Sequence, residues 1–198
     1  MRVVLCAIPF VFLVVGCARS PEVHAQPNYD PDTLTTAAFA EYDRDKNGFL
    51  EGAELDACPA LKSALSGIDT NRDGKISKDE LKTRFEGYAS AHAGTVSVGV
   101  SVTLDGSPLA DATVQFVPEA FMAGVIQEST GKTGANGAVG SFTSGGKQFA
   151  GLQPGLYRVK VTREGKPLPA RYNTQTTLGA EVFGGRGSRP ITFALVSQ

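Results

Sequence analysis

Asp43, Asp45, Asn47, Glu51 and Glu54 bring five oxygen-bearing side chains into one twelve-residue stretch, DRDKNGFLEGAE. Counted from Asp43, they stand first, third, fifth, ninth and twelfth, with Gly48 sixth. Alternate residues of a tight loop point inward, so these oxygens can converge on a hard divalent cation. Phe49, in seventh place, can contribute only its backbone carbonyl. The sixth residue must turn sharply, which Gly does without steric penalty. A second stretch, DTNRDGKISKDE, repeats the scheme. Asp69, Asn71, Asp73 and Glu80 fill the first, third, fifth and twelfth places, Gly74 the sixth and Ser77 the ninth. Lys75 stands seventh, again with a backbone carbonyl to offer. The bland alternative is two solvated acidic turns. The repetition of every constrained position argues against it.

The flanks must hold such loops in place. Phe39 and Tyr42 precede the first loop at helical spacing, and Leu65 and Ile68 precede the second. Leu55 and Leu81 follow the two terminal glutamates, and Leu50 and Ile76 occupy the eighth position of each loop. Over Thr33 to Tyr88 the chain resembles the EF-hand family. The resemblance implies two Ca²⁺ ions, held by the twelve residues at the positions just given. It also implies loops coupled through Leu50 and Ile76. Mg²⁺ is the alternative ion; a twelfth-place Glu that can bind with both oxygens favours Ca²⁺. The pattern predicts helices from an Asp32 or Thr33 cap to Tyr42, over Pro59–Ile68, and over Lys78–Tyr88. Cys58 is assigned to the helical core, with a reactive thiol as the alternative.

After Gly94 the period changes from helical to alternating. Val96, Val98, Val100, Val102 and Leu104 read as a strand with one buried face. Further short runs, ATVQFV, VGSFTS, LYRVKVT, GAEVF and ITFALV, are separated by Gly and Pro. Pro118 to Gly134 fits a wide loop, a short helix at 120–126 or an edge strand. The motifs VSVTLDGSPLADATVQFVP and GLQPGLYRVKV resemble the carboxypeptidase regulatory-like domain over about Thr95 to Val196. That resemblance implies a transthyretin-like, all-β Greek-key sandwich without catalysis of its own. Enzymes on related sandwiches need Tyr and His iron ligands, or His with a C-terminal Tyr-Arg-Gly-Ser. Here the chain ends FALVSQ, and its two His residues, His24 and His92, are expected to be solvated. Arg186 and Arg189 lie in a Gly-rich turn that either cradles an anion or is a plain hairpin loop.

The N-terminus carries an apolar run, Val3 to Val15, too short to span a membrane, which takes roughly 20 residues. It reads as an export signal ending in VVGC, which resembles the lipobox of bacterial lipoproteins. Cys17 would then be acylated and become the first mature residue. The alternative is an ordinary signal cut near Ala18 or Ala25. The expected partition of this multidomain chain is a signal (1–16), a flexible tether (17–31), a small all-α EF-hand pair (32–90), a linker (91–94) and the β-sandwich (95–198). Residues 30–90 carry 13 acids and 8 bases, and residues 91–198 carry 6 acids and 9 bases. The net charge of −1 gives no reason to expect nucleic acid. Together these features point to an exported, lipid-anchored protein facing the periplasm or cell surface, and not to an enzyme. It would bind calcium, contact an unidentified protein or envelope component, and serve a structural or adhesive role. The alternative is a calcium-dependent sensor or docking subunit.

Overall fold

A computed structural model describes residues 24–184 and 190–198. The export signal, Cys17 and the Arg186–Arg189 turn lie outside the described residues. Among the described residues no helix is long and apolar enough to cross a membrane.

The helical half has four helices and two short strands: α1 (Pro31–Tyr42), β1 (Phe49–Leu50), α2 (Gly52–Ala57), α3 (Pro59–Ile68), β2 (Ile76–Ser77) and α4 (Lys78–Ser90). The cap of α1 is Asp30, not Asp32 or Thr33. Its carboxylate accepts from the Thr33 N–H at 3.3 Å, and Pro31 takes the first helical position, where no N–H is needed. Pro59 likewise starts α3, so Cys58 separates α2 from α3. β1 and β2 pair antiparallel and set Leu50 opposite Ile76, both fully buried.

The β half contains β3 (Val100–Leu104), β4 (Ser107–Pro108), β5 (Ala112–Pro118), β6 (Ser129–Thr133), β7 (Ala138–Ser144), β8 (Lys147–Phe149), β9 (Gly155–Arg163), β10 (Leu178–Val182) and β11 (Ile191–Leu195). Seven of them form one ladder in the order β10-β9-β5-β6-β7-β3-β11, with β4 on β3 and β8 on β7. All pairs are antiparallel except β11 with β3. β5 and β11 stand four ladder steps apart, roughly 19 Å in a flat sheet. Yet the Phe116 and Phe193 rings lie 6.4 Å apart, so the sheet curls back and closes a core on itself. A bulge in the β6–β7 pairing, between Gly131 and Thr133, contributes to the bend.

Several local expectations change. Val96 and Val98 lie outside β3; Val96 forms only an isolated bridge with Leu152. The ambiguous stretch after Pro118 holds a 3₁₀ turn, Ala120–Met122, and then β6, which is central and not an edge. From His24 onward the expected tether is packed as a strap. His24 is buried, its ring stacks on Phe149 at 3.5 Å, and its N–H donates to Thr95 Oγ1. The Tyr29 hydroxyl donates to the Pro154 carbonyl. Two aromatic anchors hold a stretch whose polar, Pro-rich composition reads as loose. His92 is exposed, as expected. The strap leaves no room at Gly94, where a Cβ would meet the His24 carbonyl oxygen at 1.8 Å.

The two halves share one buried apolar core. α3 lies against β10 and β9, and the Ala120–Met122 turn lies against α1. The loops are thus carried by a helical pair seated on the curled sheet.

Candidate metal centre

The first loop is shaped by its own backbone N–H groups. Asp43 Oδ1 accepts from Asn47 N–H and Oδ2 from Gly48 N–H, each at 3.1 Å. Asp45 Oδ1 also accepts from Asn47 N–H, at 3.0 Å, and Asn47 Oδ1 accepts from Phe49 N–H, at 2.8 Å. Glu54, on the first turn of α2, reaches back across the loop. Its Oε1 accepts from Arg44 N–H at 2.7 Å, and its Oε2 from Glu51 N–H at 3.2 Å. Asp43, Asp45 and Glu54 each place one carboxylate oxygen within 4.8 Å of the others. Gly48 takes a positive φ of 84°, the turn that its place in the spacing calls for.

The second loop repeats this frame. Asp69 Oδ2 accepts from Gly74 N–H at 2.9 Å, Asn71 Oδ1 from Asp73 N–H at 2.9 Å, and Asp73 Oδ1 from Lys75 N–H at 2.9 Å. Gly74 has φ 82°. Glu80 reaches back from α4, accepting from Thr70 N–H at 2.9 Å and from Ser77 N–H at 3.0 Å. Desolvation pushes the Glu80 carboxyl up, but hydrogen bonds from Ser77, Thr70 and Asn71 outweigh it and hold the group at about 2. It is therefore charged at any ordinary pH. Ser77 serves as N-cap of α4: its Oγ donates to Glu80 Oε2 and accepts from Glu80 N–H.

These side-chain donors are carboxylate, amide and hydroxyl oxygens, the set that suits Ca²⁺. Two loop residues do something the spacing does not foretell. Lys75 Nζ lies 2.8 Å from Glu51 Oε2 and 5.3 Å from the Phe49 ring centroid, so the second loop sends a cation into the first. The hydrogen bond from Lys75 holds the Glu51 carboxyl below its ordinary range.

Contacts between the two halves also have no counterpart in the spacing. Tyr42, directly before Asp43, donates to Glu119 Oε2 at 3.1 Å. Arg84 makes a two-point ion pair with Glu181, at 2.5 and 2.6 Å, and Tyr88 donates to the same carboxylate. Tyr42 and Tyr88 are both buried, and nothing in the sequence marks their partners.

A paired set of oxygen-donor loops, each flanked by helices and joined by a two-strand ladder, defines the class of site. The family model described as EF hand matches residues 61–85, which run from α3 through the second loop into α4. That match supports calcium binding. Neither the curated proteins nor the solved structures yield a match.

Proposed function

We propose that the chain binds two Ca²⁺ ions, one in Asp43–Glu54 and one in Asp69–Glu80, as part of an exported, lipid-anchored envelope protein. The β half is read as a non-catalytic, transthyretin-like sandwich of the carboxypeptidase regulatory-like kind, serving a structural or adhesive role towards a protein or other envelope component. The carrying observation is the common frame of the two loops, the second of which lies within the EF-hand match. The export and anchor reading rests on the apolar run ending in VVGC.

Calorimetric titration of the full exported chain tests the site. Two binding events are expected, with dissociation constants of roughly 10⁻⁴–10⁻³ M, the range of extracellular modules. Glu54→Gln should remove one and Glu80→Gln the other. Two events surviving in the double variant would refute the assignment. Incorporation of labelled fatty acid, abolished by Cys17→Ser, tests the anchor.

A further inference from the structure

We propose that the apolar face of the helical pair is a docking site whose occupant is this chain's own β half, and that Ca²⁺ tightens that clamp. The proposal rests on the calcium reading above and adds what calcium acts upon. Phe121, in the turn between β5 and β6, enters between α1 and α4. Its ring meets Tyr42 edge-on at 6.1 Å and Phe85 at 6.1 Å, and Met122 beside it is fully buried. The face that a sensor would offer to a partner is filled from within.

Each of the four helices carries a contact to the β half. At the end of α1, Tyr42 donates to Glu119; at the end of α2, the Ala57 carbonyl accepts from Arg158 at 3.1 Å. The second hand is gripped on both sides by one strand. At Gly179 of β10 the start of α3 approaches so closely that a Cβ would lie 2.0 Å from the Pro59 carbonyl oxygen. Two residues on, Glu181 takes Arg84 and Tyr88 of α4. α3 enters the second loop and α4 leaves it, and the angle between such helices is what ion binding changes in a sensor hand. Here β10 spans both, so that angle and the docking move together.

The sign follows from the loops. In the docked arrangement Asp43, Asp45 and Glu54 already hold one carboxylate oxygen each within 4.8 Å of the others, so an ion placed there meets a gathered first loop. A ligand shifts a population towards the arrangement it binds better, and the coupling between two sites is reciprocal. Calcium therefore favours docking, and docking raises calcium affinity.

The test uses the full exported chain and two variants that touch no calcium donor. Gly179→Ala wedges β10 from α3, while Arg84→Met keeps the side-chain bulk and removes the ion pair to Glu181. Hydrogen exchange with calcium and with chelator, and calcium titration by calorimetry, are the readouts. Chelation should speed exchange at the backbone amides of Leu178–Val182 and Ala120–Met122 while leaving β5 protected. Both variants should weaken calcium binding by about fivefold or more. If Gly179→Ala does not fold, Arg84→Met alone decides. Two normal binding events with exchange at those amides indifferent to chelator, and Arg84→Met within about twofold of the parent, overturn the clamp but leave the calcium site standing. No heat of binding in the parent chain overturns both.

Discussion

Lys75 stands in the second loop, but its ammonium is held by Glu51 of the first. An ion using Glu51 as a ninth-place ligand must displace that ammonium or share the carboxylate with it. Lys75→Met keeps much of the stem over Phe49 and removes the competitor. Because the pair is partly exposed, the effect is small: calcium affinity of the first loop should rise about two- to fivefold, less at high salt. Calorimetry at two ionic strengths checks this, and weaker binding in the variant would make Lys75 a support of the loop and not a competitor. Cys58 gives a second residue-level expectation. Burial, with the nearby Glu119 carboxylate, pushes its thiol up to about 12. The thiolate is the reactive form, so a thiol reagent at pH 8 should leave Cys58 unmodified in the native chain and label it once the chain is unfolded.

At the scale of elements, α1 depends on its cap. The Thr33 side chain and N–H both donate to the Asp30 carboxylate, which holds it below its ordinary value of 3.8. A carboxyl lowered in the folded state stabilises above its unfolded value, and that contribution is lost as pH falls through the folded one. Asp30→Ala should lower the thermal midpoint at pH 7 by about 2–4 °C, and the difference from the parent should shrink below pH 3.8. Asp30→Asn should restore most of it. Calorimetric scans at both pH values decide; equal midpoints at pH 7 would remove Asp30 from the role. The cap eluded sequence reading because Asp30, Asp32 and Thr33 all qualify by type, and only Pro31 at the first position selects among them. The strands divide in the same physical way. β5, β9 and β11 announce themselves by alternating large apolar residues. β6 buries Ser129, Gly131 and Thr133, which have no hydropathic signal. Its small residues make space: a Cβ on Gly131 would lie 2.3 Å from Val139 Cγ1. The loops were legible because the donors of each fall within twelve consecutive residues. Arg84 and Glu181 are 97 residues apart, and no local pattern joins them.

Across the whole molecule, gross charge misleads about how the halves meet. The helical half is net acidic and the β half net basic, yet a close ion pair between them uses a base from the first, Arg84, and an acid from the second, Glu181. Half-buried geometry, with Arg84 also stacked 4.1 Å over Phe183, sets the contact. The strap from His24 to Asp30 ties the same halves from outside, and it carries a titratable group. His24 is stacked on Phe149, its Nε2 is buried with no hydrogen-bond partner among the described residues, and desolvation holds its pKa below 6.5. The folded state thus binds this proton less readily than the unfolded chain. Stability is full above pH 6.5 and declines as pH falls through 6.5 towards the lowered folded value. The expected result is a parent chain that is less stable to urea at pH 5.5 than at pH 7.5. His24→Phe keeps an aromatic ring against Phe149 and cannot titrate, so its midpoint should be flat over that range while calcium binding is unchanged. A loss in His24→Phe equal to the parent's would place the titrating group elsewhere and leave the strap without a pH response.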